Sequence, residues 1–185
     1  MKNNLFSLEK LTYETSSYEL KMFRVQHDET QLSRYLRKYS KIHSKENLNK
    51  IYLVRNKSTG QLAAWFGLKS ATLPYNDRDN TFLIPAVELT HFAVDERYHI
   101  KDSDLINFKT GEYIFRKFIL PIVTRVSKEI GCKNLYIFAI NTPKLIQYYT
   151  KRLGFKEMKN IEEKKFFEFA KPKYDLGCKF LYFPL

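Results

Sequence analysis

The sequence predicts an α/β (α+β) chain in which a mixed, mostly antiparallel central sheet is flanked by helices on both faces. Helical and strand-like periodicities follow one another as helix, hairpin, strand, helix, strand, helix, strand, an order that lets helices cover a mixed sheet. Apolar residues make up 44% of the chain, with 15 Phe and 13 Tyr against 6 Gly and 6 Pro, which is material for a core and excludes a low-complexity chain. Its 185 residues carry no repeat or linker, so 1–185 reads as one domain.

Each element has a local reason. Asp28–His43 carries Leu32, Tyr35, Leu36, Tyr39 and Ile42 at three- and four-residue spacing, an amphipathic helix for which Asp28 and Gln31 form a capping box. Ile51–Arg55 and Gln61–Leu68 are apolar and aromatic, and Lys57-Ser58-Thr59-Gly60 supplies the turn of an antiparallel hairpin. Lys69–Pro85 shows neither period around its polar centre and reads as a long loop, a candidate lid. Ala86–Val94 is strand-like, with Glu88 inside it. Asp95–Lys109 is irregular, after which Ile114, Phe115, Phe118, Ile122, Val126 and Ile130 mark a helix face that Pro121 should bend and Gly131 should end. Asn134–Ile140 is a short continuous apolar run, a strand covered on both sides. Thr142-Pro143 opens a helix ending near Leu153-Gly154-Phe155. Strand-like Phe155–Met158, charged and helical Asn160–Ala170 and strand-like Cys178–Phe183 complete the order, the last apolar enough to support a paired edge in a homodimer.

Composition excludes several classes. The longest apolar runs are far short of the roughly 18 residues a membrane span needs. The first ten residues show no signal-peptide pattern, and two cysteines, Cys132 and Cys178, make neither a zinc quartet nor a secreted disulfide framework. A cytoplasmic protein with no metal site and no membrane partner is expected. The 32 Lys+Arg against 20 Asp+Glu give a formal charge of +12, which favours a polyanion: nucleic acid, acidic lipid or a phosphorylated cofactor.

The block Val87–Phe155 carries the chemistry. Its pieces are Val87-Glu88-Leu89-Thr90-His91-Phe92-Ala93-Val94, Gly111 at the start of the long helix, Leu135–Asn141, and Tyr148-Tyr149-Thr150-Lys151-Arg152-Leu153-Gly154-Phe155. In that order they resemble the GNAT superfamily of acetyl-CoA-dependent N-acetyltransferases, and the resemblance covers most of the chain. It implies a GNAT-like sheet whose central strands, Ala86–Val94 and Asn134–Ile140, splay to admit the pantetheine arm of acetyl-CoA. Backbone groups of Phe92, Ala93 and Val94 would pair with that arm, and an N–H near Val94 would stabilise the oxyanion. Glu88 stands where the histone-acetyltransferase branch carries its general base; its alternative is a buried, paired acid. Three residues on, His91 falls on the opposite face by alternation and reads as a packed, hydrogen-bonded histidine.

The family binds pyrophosphate with an Arg/Gln-x-x-Gly-x-Gly/Ala turn before a helix. Gly111 matches its last glycine, whereas Lys109 replaces the earlier one and Ile106 the Arg/Gln. Lys109 and Thr110 would then serve by charge and hydroxyl. The family's acid, a tyrosine, lies seven residues after an asparagine and four before the glycine. Counting from Asn141 gives Tyr148 and counting back from Gly154 gives Thr150, so the two counts do not meet and Tyr149 sits between them. Tyr149, four residues after Leu145, is preferred, with Tyr148 next. Asn141 would bond the pantetheine or cap the next helix. The function implied is N-acetyl transfer from acetyl-CoA to a primary amine by direct attack. The acceptor is open among aminoacyl-tRNA, protein and small amines. A non-catalytic CoA sensor and a basic nucleic-acid-binding module are the alternatives.

Overall fold

All six strands expected from the sequence form, and β1 (Phe6–Lys10) and α1 (Ser17–Met22) precede them without having been anticipated. The computed structural model describes residues 5–26, 28, 30–77, 80–98, 109–158 and 177–185. The remaining elements are α2 (Leu32–Lys38), α3 (Ser40–Lys45), β2 (Lys50–Asn56), β3 (Leu62–Asp77), β4 (Asn80–Val94), α4 (Thr110–Ile114), α5 (Leu120–Ile130), β5 (Asn134–Ile140), α6 (Pro143–Gln147), β6 (Lys156–Glu157) and β7 (Cys178–Pro184). Hydrogen-bonded neighbours run β1-β2-β3-β4-β5-β7-β6, a seven-stranded mixed sheet. The registered pairs are antiparallel except β4 with β5. The chain divides into two compact units, Met1–Lys69 with Thr90–Ile119, and Ser70–Leu89 with Leu120–Leu185.

In the first unit, β1, β2 and the first half of β3 form antiparallel ladders, from Phe6↔Asn56 to Lys10↔Tyr52 and from Lys50↔Leu68 to Arg55↔Leu62. Leu11, Leu20, Phe23, Leu36, Ile51, Leu53, Leu62, Trp65 and Ala93 make one buried cluster. Each larger side chain there contributes about 1.5–3 kcal/mol of burial. The expected helix over 28–43 is two shorter ones, α2 and α3. Only its inner stripe is buried; Tyr39 and Ile42 are exposed. Its capping box is not formed, because Gln31 adopts a left-handed conformation (φ 55°) and its amide oxygen takes Arg34 instead. Asp28 caps by itself, accepting from the Leu32 and Ser33 amides at 2.6 and 2.9 Å.

In the second unit, β7 pairs with β5 along its whole length, from Asn134↔Pro184 to Ile140↔Cys178, and β6 pairs with the other edge of β7. The expected exposed edge at Cys178–Phe183 is therefore an interior strand. Leu73, Ala86, Tyr136 and Phe180 form the buried cluster, with Ala71 and Ile84 packed on it. That packing explains why the candidate lid over 69–85 is not a loop: Ala71 and Leu73 on one arm and Ile84 and Ala86 on the other, each pair two apart, meet in this cluster, so β3 runs on to Asp77 and β4 starts at Asn80. Gly131 ends α5 with φ +77° as expected.

The bend expected at Pro121 takes another form. A π-helical turn, Phe115–Ile119, lies between α4 and α5, and its wider ladder relieves the crowding that Pro121 would cause. The turn also moves the apolar stripe, so Ile119 and Val123 are fully buried and Ile130 is exposed. The charged stretch 160–170 lies outside the described residues.

Candidate active site

Within the second unit Glu88 occupies the last rung of the parallel ladder, where Ala86, Val87 and Glu88 face Asn134, Leu135 and Tyr136. The β5–β7 ladder continues to Ile140. Glu88 is 7% exposed, and the Tyr136 hydroxyl donates to its Oε2 at 3.0 Å. The Tyr136 ring is itself held by Phe138 and Phe180, with centroids at 5.8 and 5.5 Å. A buried carboxylate needs such a donor. Sequence reasoning missed Tyr136; its signal was the hydroxyl inside an otherwise apolar strand.

The second unit also carries both candidate tyrosines. Thr142 is the N-cap of α6, so Asn141, exposed just before it, is not the cap. After α6 the chain widens into a second π-helical turn, Tyr148–Leu153, closed by Gly154 at φ +89° with its amide donating to the Tyr149 carbonyl. A π turn holds one residue more than an α turn, and this takes up part of the surplus counted between Asn141 and Gly154. The two tyrosines then differ. Tyr149 is buried, edge-on to Phe155 at 5.5 Å, and burial, with a smaller contribution from Tyr148, pushes its hydroxyl well above the usual phenol range. Tyr148 is half-buried.

In the first unit β4 ends in Phe92, Ala93 and Val94, and Asp95 fixes that end. Asp95 is completely buried and accepts from the Arg24 amide at 3.0 Å and from Arg97 Nε and Nη2 at 2.6 and 3.0 Å, while its own amide donates to the Ala63 carbonyl at 2.8 Å. Lys109 is exposed and extended (φ −97°) before α4, and Gly111 is the second residue of that helix. Thr110 is buried and its Oγ1 donates to the Tyr98 carbonyl at 2.9 Å. The hydroxyl expected to serve phosphate has therefore spent its proton, and what Thr110 retains for an anion is its backbone N–H. Glu112 lies in the same first turn, paired with Arg116 at 3.0 Å. Ile106 lies outside the described residues.

His91 is packed, as expected, and its surroundings exceed what the sequence suggested. Its ring stacks on Tyr35 at 3.8 Å and lies 5.3 Å from Trp65. Asn49, 4% exposed, is the hub: Nδ2 donates to Thr90 Oγ1 at 2.7 Å and to the Tyr35 hydroxyl at 3.2 Å. Each hydroxyl can then pass its own proton to a histidine, Thr90 to His91 Nδ1 and Tyr35 to His43 Nδ1, both at 2.9 Å. Burial, then repulsion from His43 and Lys69, lowers the His91 pKa to about 4, so the ring is neutral near pH 7. Asn49 Oδ1 and Trp65 Nε1 are buried without a partner among the described residues. Cys132 is a buried free thiol whose pKa burial raises, in keeping with a structural role.

No family model matches the chain, and no curated protein matches it. Solved structures do. The crystal structure of AtaTR bound with AcCoA is similar over 97% of this chain and 93% of that one, with a TM-score of 0.70 at 18% identity. AtaT complexed with acetyl-methionyl-tRNAfMet is similar over 97% and 94%, with a TM-score of 0.67 at 16% identity. A tyrosine-to-phenylalanine mutant of KacT is similar over 97% and 95%, with a TM-score of 0.67 at 17% identity. At these identities the likeness establishes the fold: the seven-stranded mixed sheet and its helices are those of the GNAT fold.

Proposed function

We propose that the protein is an N-acetyltransferase that moves an acetyl group from acetyl-CoA to a primary amine, with aminoacyl-tRNA as the acceptor. The observation that carries this reading is Glu88, buried on the last rung of the β4–β5 ladder with the Tyr136 hydroxyl on its carboxylate. The similar structures support the acceptor, since AtaT is bound to acetyl-methionyl-tRNAfMet in one and AtaTR to AcCoA in another. The formal charge of +12 is in keeping with it.

In this mechanism Glu88 removes a proton from the acceptor ammonium, directly or through a water, and the neutral amine attacks the thioester carbonyl. The carbonyl oxygen becomes an oxyanion beside the Val94 N–H. Collapse breaks the C–S bond, Tyr148 donates its phenolic proton to the thiolate, and the second proton that the nitrogen sheds on becoming an amide restores the phenol through water. We assign this step to Tyr148 rather than Tyr149 because Tyr149 is enclosed by the core, whereas Tyr148 keeps the family's distance from Asn141. Phe92, Ala93 and Val94 hold the pantetheine amides, with Asn141 beside it, and the Thr110 and Gly111 amides with the Lys109 ammonium face the pyrophosphate.

The test is thermal stabilisation by acetyl-CoA, compared with ATP, followed by transfer of radiolabelled acetyl groups to charged tRNA, uncharged tRNA and small amines. The reading expects a melting shift with acetyl-CoA and label on charged tRNA only. Stabilisation without transfer to any amine makes the protein a CoA sensor, and absence of stabilisation ends the assignment.

A further inference from the structure

We infer that the α2–α3 face of the first unit is a docking surface for single-stranded RNA, holding the phosphates on a cationic stripe and a base on Tyr13. This deepens the acceptor reading and rests on it for the identity of the polymer. Residues 31–50 contain six Lys and Arg and a single acid, Glu46. Tyr39 (φ −115°) separates the two helices by a single residue, its amide donating to Tyr35 and the His43 amide donating to it, both at 2.9 Å. Arg34 and Lys38, four apart, share one face of α2, and Lys41 and Lys45, four apart, share one face of α3, so the cations follow one another along the pair. Ser33, Leu36 and Ser40 are buried on the other side.

Arg34, Lys38 and Lys45 are exposed, and among the described residues none of them pairs with a carboxylate. Lys41 is different. Its ammonium donates to the Tyr13 carbonyl at 2.9 Å and to Ser17 Oγ at 3.2 Å, and sits 5.6 Å from the centroid of the Tyr13 ring. The Tyr13 ring, 79% exposed, is thus backed by a cation beside the stripe. An exposed aromatic among cations that no carboxylate neutralises is the pattern that binds single strands, where bases stack on rings and phosphates follow charge. A duplex, with its bases already stacked inside, gains only the charge.

The experiment is fluorescence anisotropy of the full chain with a labelled single-stranded RNA oligonucleotide and with its duplex, from low to physiological salt and without acetyl-CoA. The expected result is tighter binding of the single strand, with affinity falling log-linearly with salt. Replacing Arg34, Lys38 and Lys45 together by Gln should reduce the salt slope by about 2, at roughly 0.7 per phosphate contact. Tyr13→Ala should weaken the single strand about tenfold and the duplex hardly at all. Unchanged affinity and slope in the triple variant overturn the stripe, and equal loss on both RNAs with Tyr13→Ala overturns the stacking. Tighter binding to vesicles of anionic lipid than to RNA overturns the occupant. Melting temperature and acetyl-CoA stabilisation, measured on the same variants, separate misfolding and failure of the acetyltransferase reading from failure of this surface.

Discussion

Two polar residues three positions apart on β4 have opposite surroundings. Glu88, in the second unit, is buried against the Tyr136 hydroxyl, which supplies one hydrogen bond to one of its two oxygens. His91, in the first unit, is stacked on Tyr35 beside Trp65 and bonds the Thr90 hydroxyl of a network whose hub, Asn49, is almost wholly buried. The difference separates reactivity from rigidity. A carboxyl keeps an oxygen able to accept from Tyr136 whether or not it carries a proton, whereas adding one to His91 Nδ1 would turn an acceptor into a donor and force the Thr90 hydroxyl to accept from both His91 and Asn49. The first residue suits chemistry and the second suits scaffolding, although both are titratable groups set in an apolar strand.

The strongest break of this comparison is Glu88→Gln. The amide keeps the volume and can still accept from Tyr136, so the melting temperature should hold within a few degrees while turnover with saturating acetyl-CoA falls about 10²–10⁴-fold. Steady-state rates beside a thermal melt decide it. Turnover within threefold of the unsubstituted chain would make Glu88 a structural acid and dissolve the contrast with His91.

The next test concerns pH. Folded His91 titrates near 4 against 6.5 when unperturbed. Between those values the unfolded chain binds the additional proton, so stability rises with pH: the contribution is fully present above about 6.5 and is lost as pH falls through 4. The loss is on the order of 2–3 kcal/mol. Carboxylates titrate in the same window, so the quantity to measure is the difference between the unsubstituted chain and His91→Phe in urea midpoints at pH 7 and pH 4.5. Equal pH dependence in the two would place the proton-sensitive group elsewhere.

How much of this was legible in the sequence follows the range of the interactions. Glu88 and the β4, β5 and β7 strands could be read because apolar runs and their bounding turns are local signals. The π turn at Tyr148 was visible only as two counts that did not meet, since no local preference announces an i→i+5 ladder. The strand arms over 69–85 were hidden because their period appears only when Leu73 and Ala86 are seen in one cluster. Tyr136 and Asn49 were missed for the same reason. Each acts on a residue more than forty positions away, and neither has a sequence neighbour that reports the contact.

The smallest expected effect comes from Gly67, and it tests whether the His91 network is as tightly determined as its geometry implies. A Cβ at Gly67 would lie 2.5 Å from Thr90 Oγ1 and 2.8 and 2.9 Å from Asn49 Nδ2 and Oδ1, closer than such atoms approach. Gly67→Ala must therefore displace the two side chains that connect the hub to His91, at about 1–3 kcal/mol, partly offset by about 0.4–1 kcal/mol from the less flexible unfolded chain. A melting temperature lowered by several degrees is expected, and Thr90→Ala should recover part of it by removing the shortest contact. If Gly67→Ala melts where the parent does, in either Thr90 background, the hydroxyl and amide reposition freely, and His91 is held by its aromatic neighbours rather than by the network.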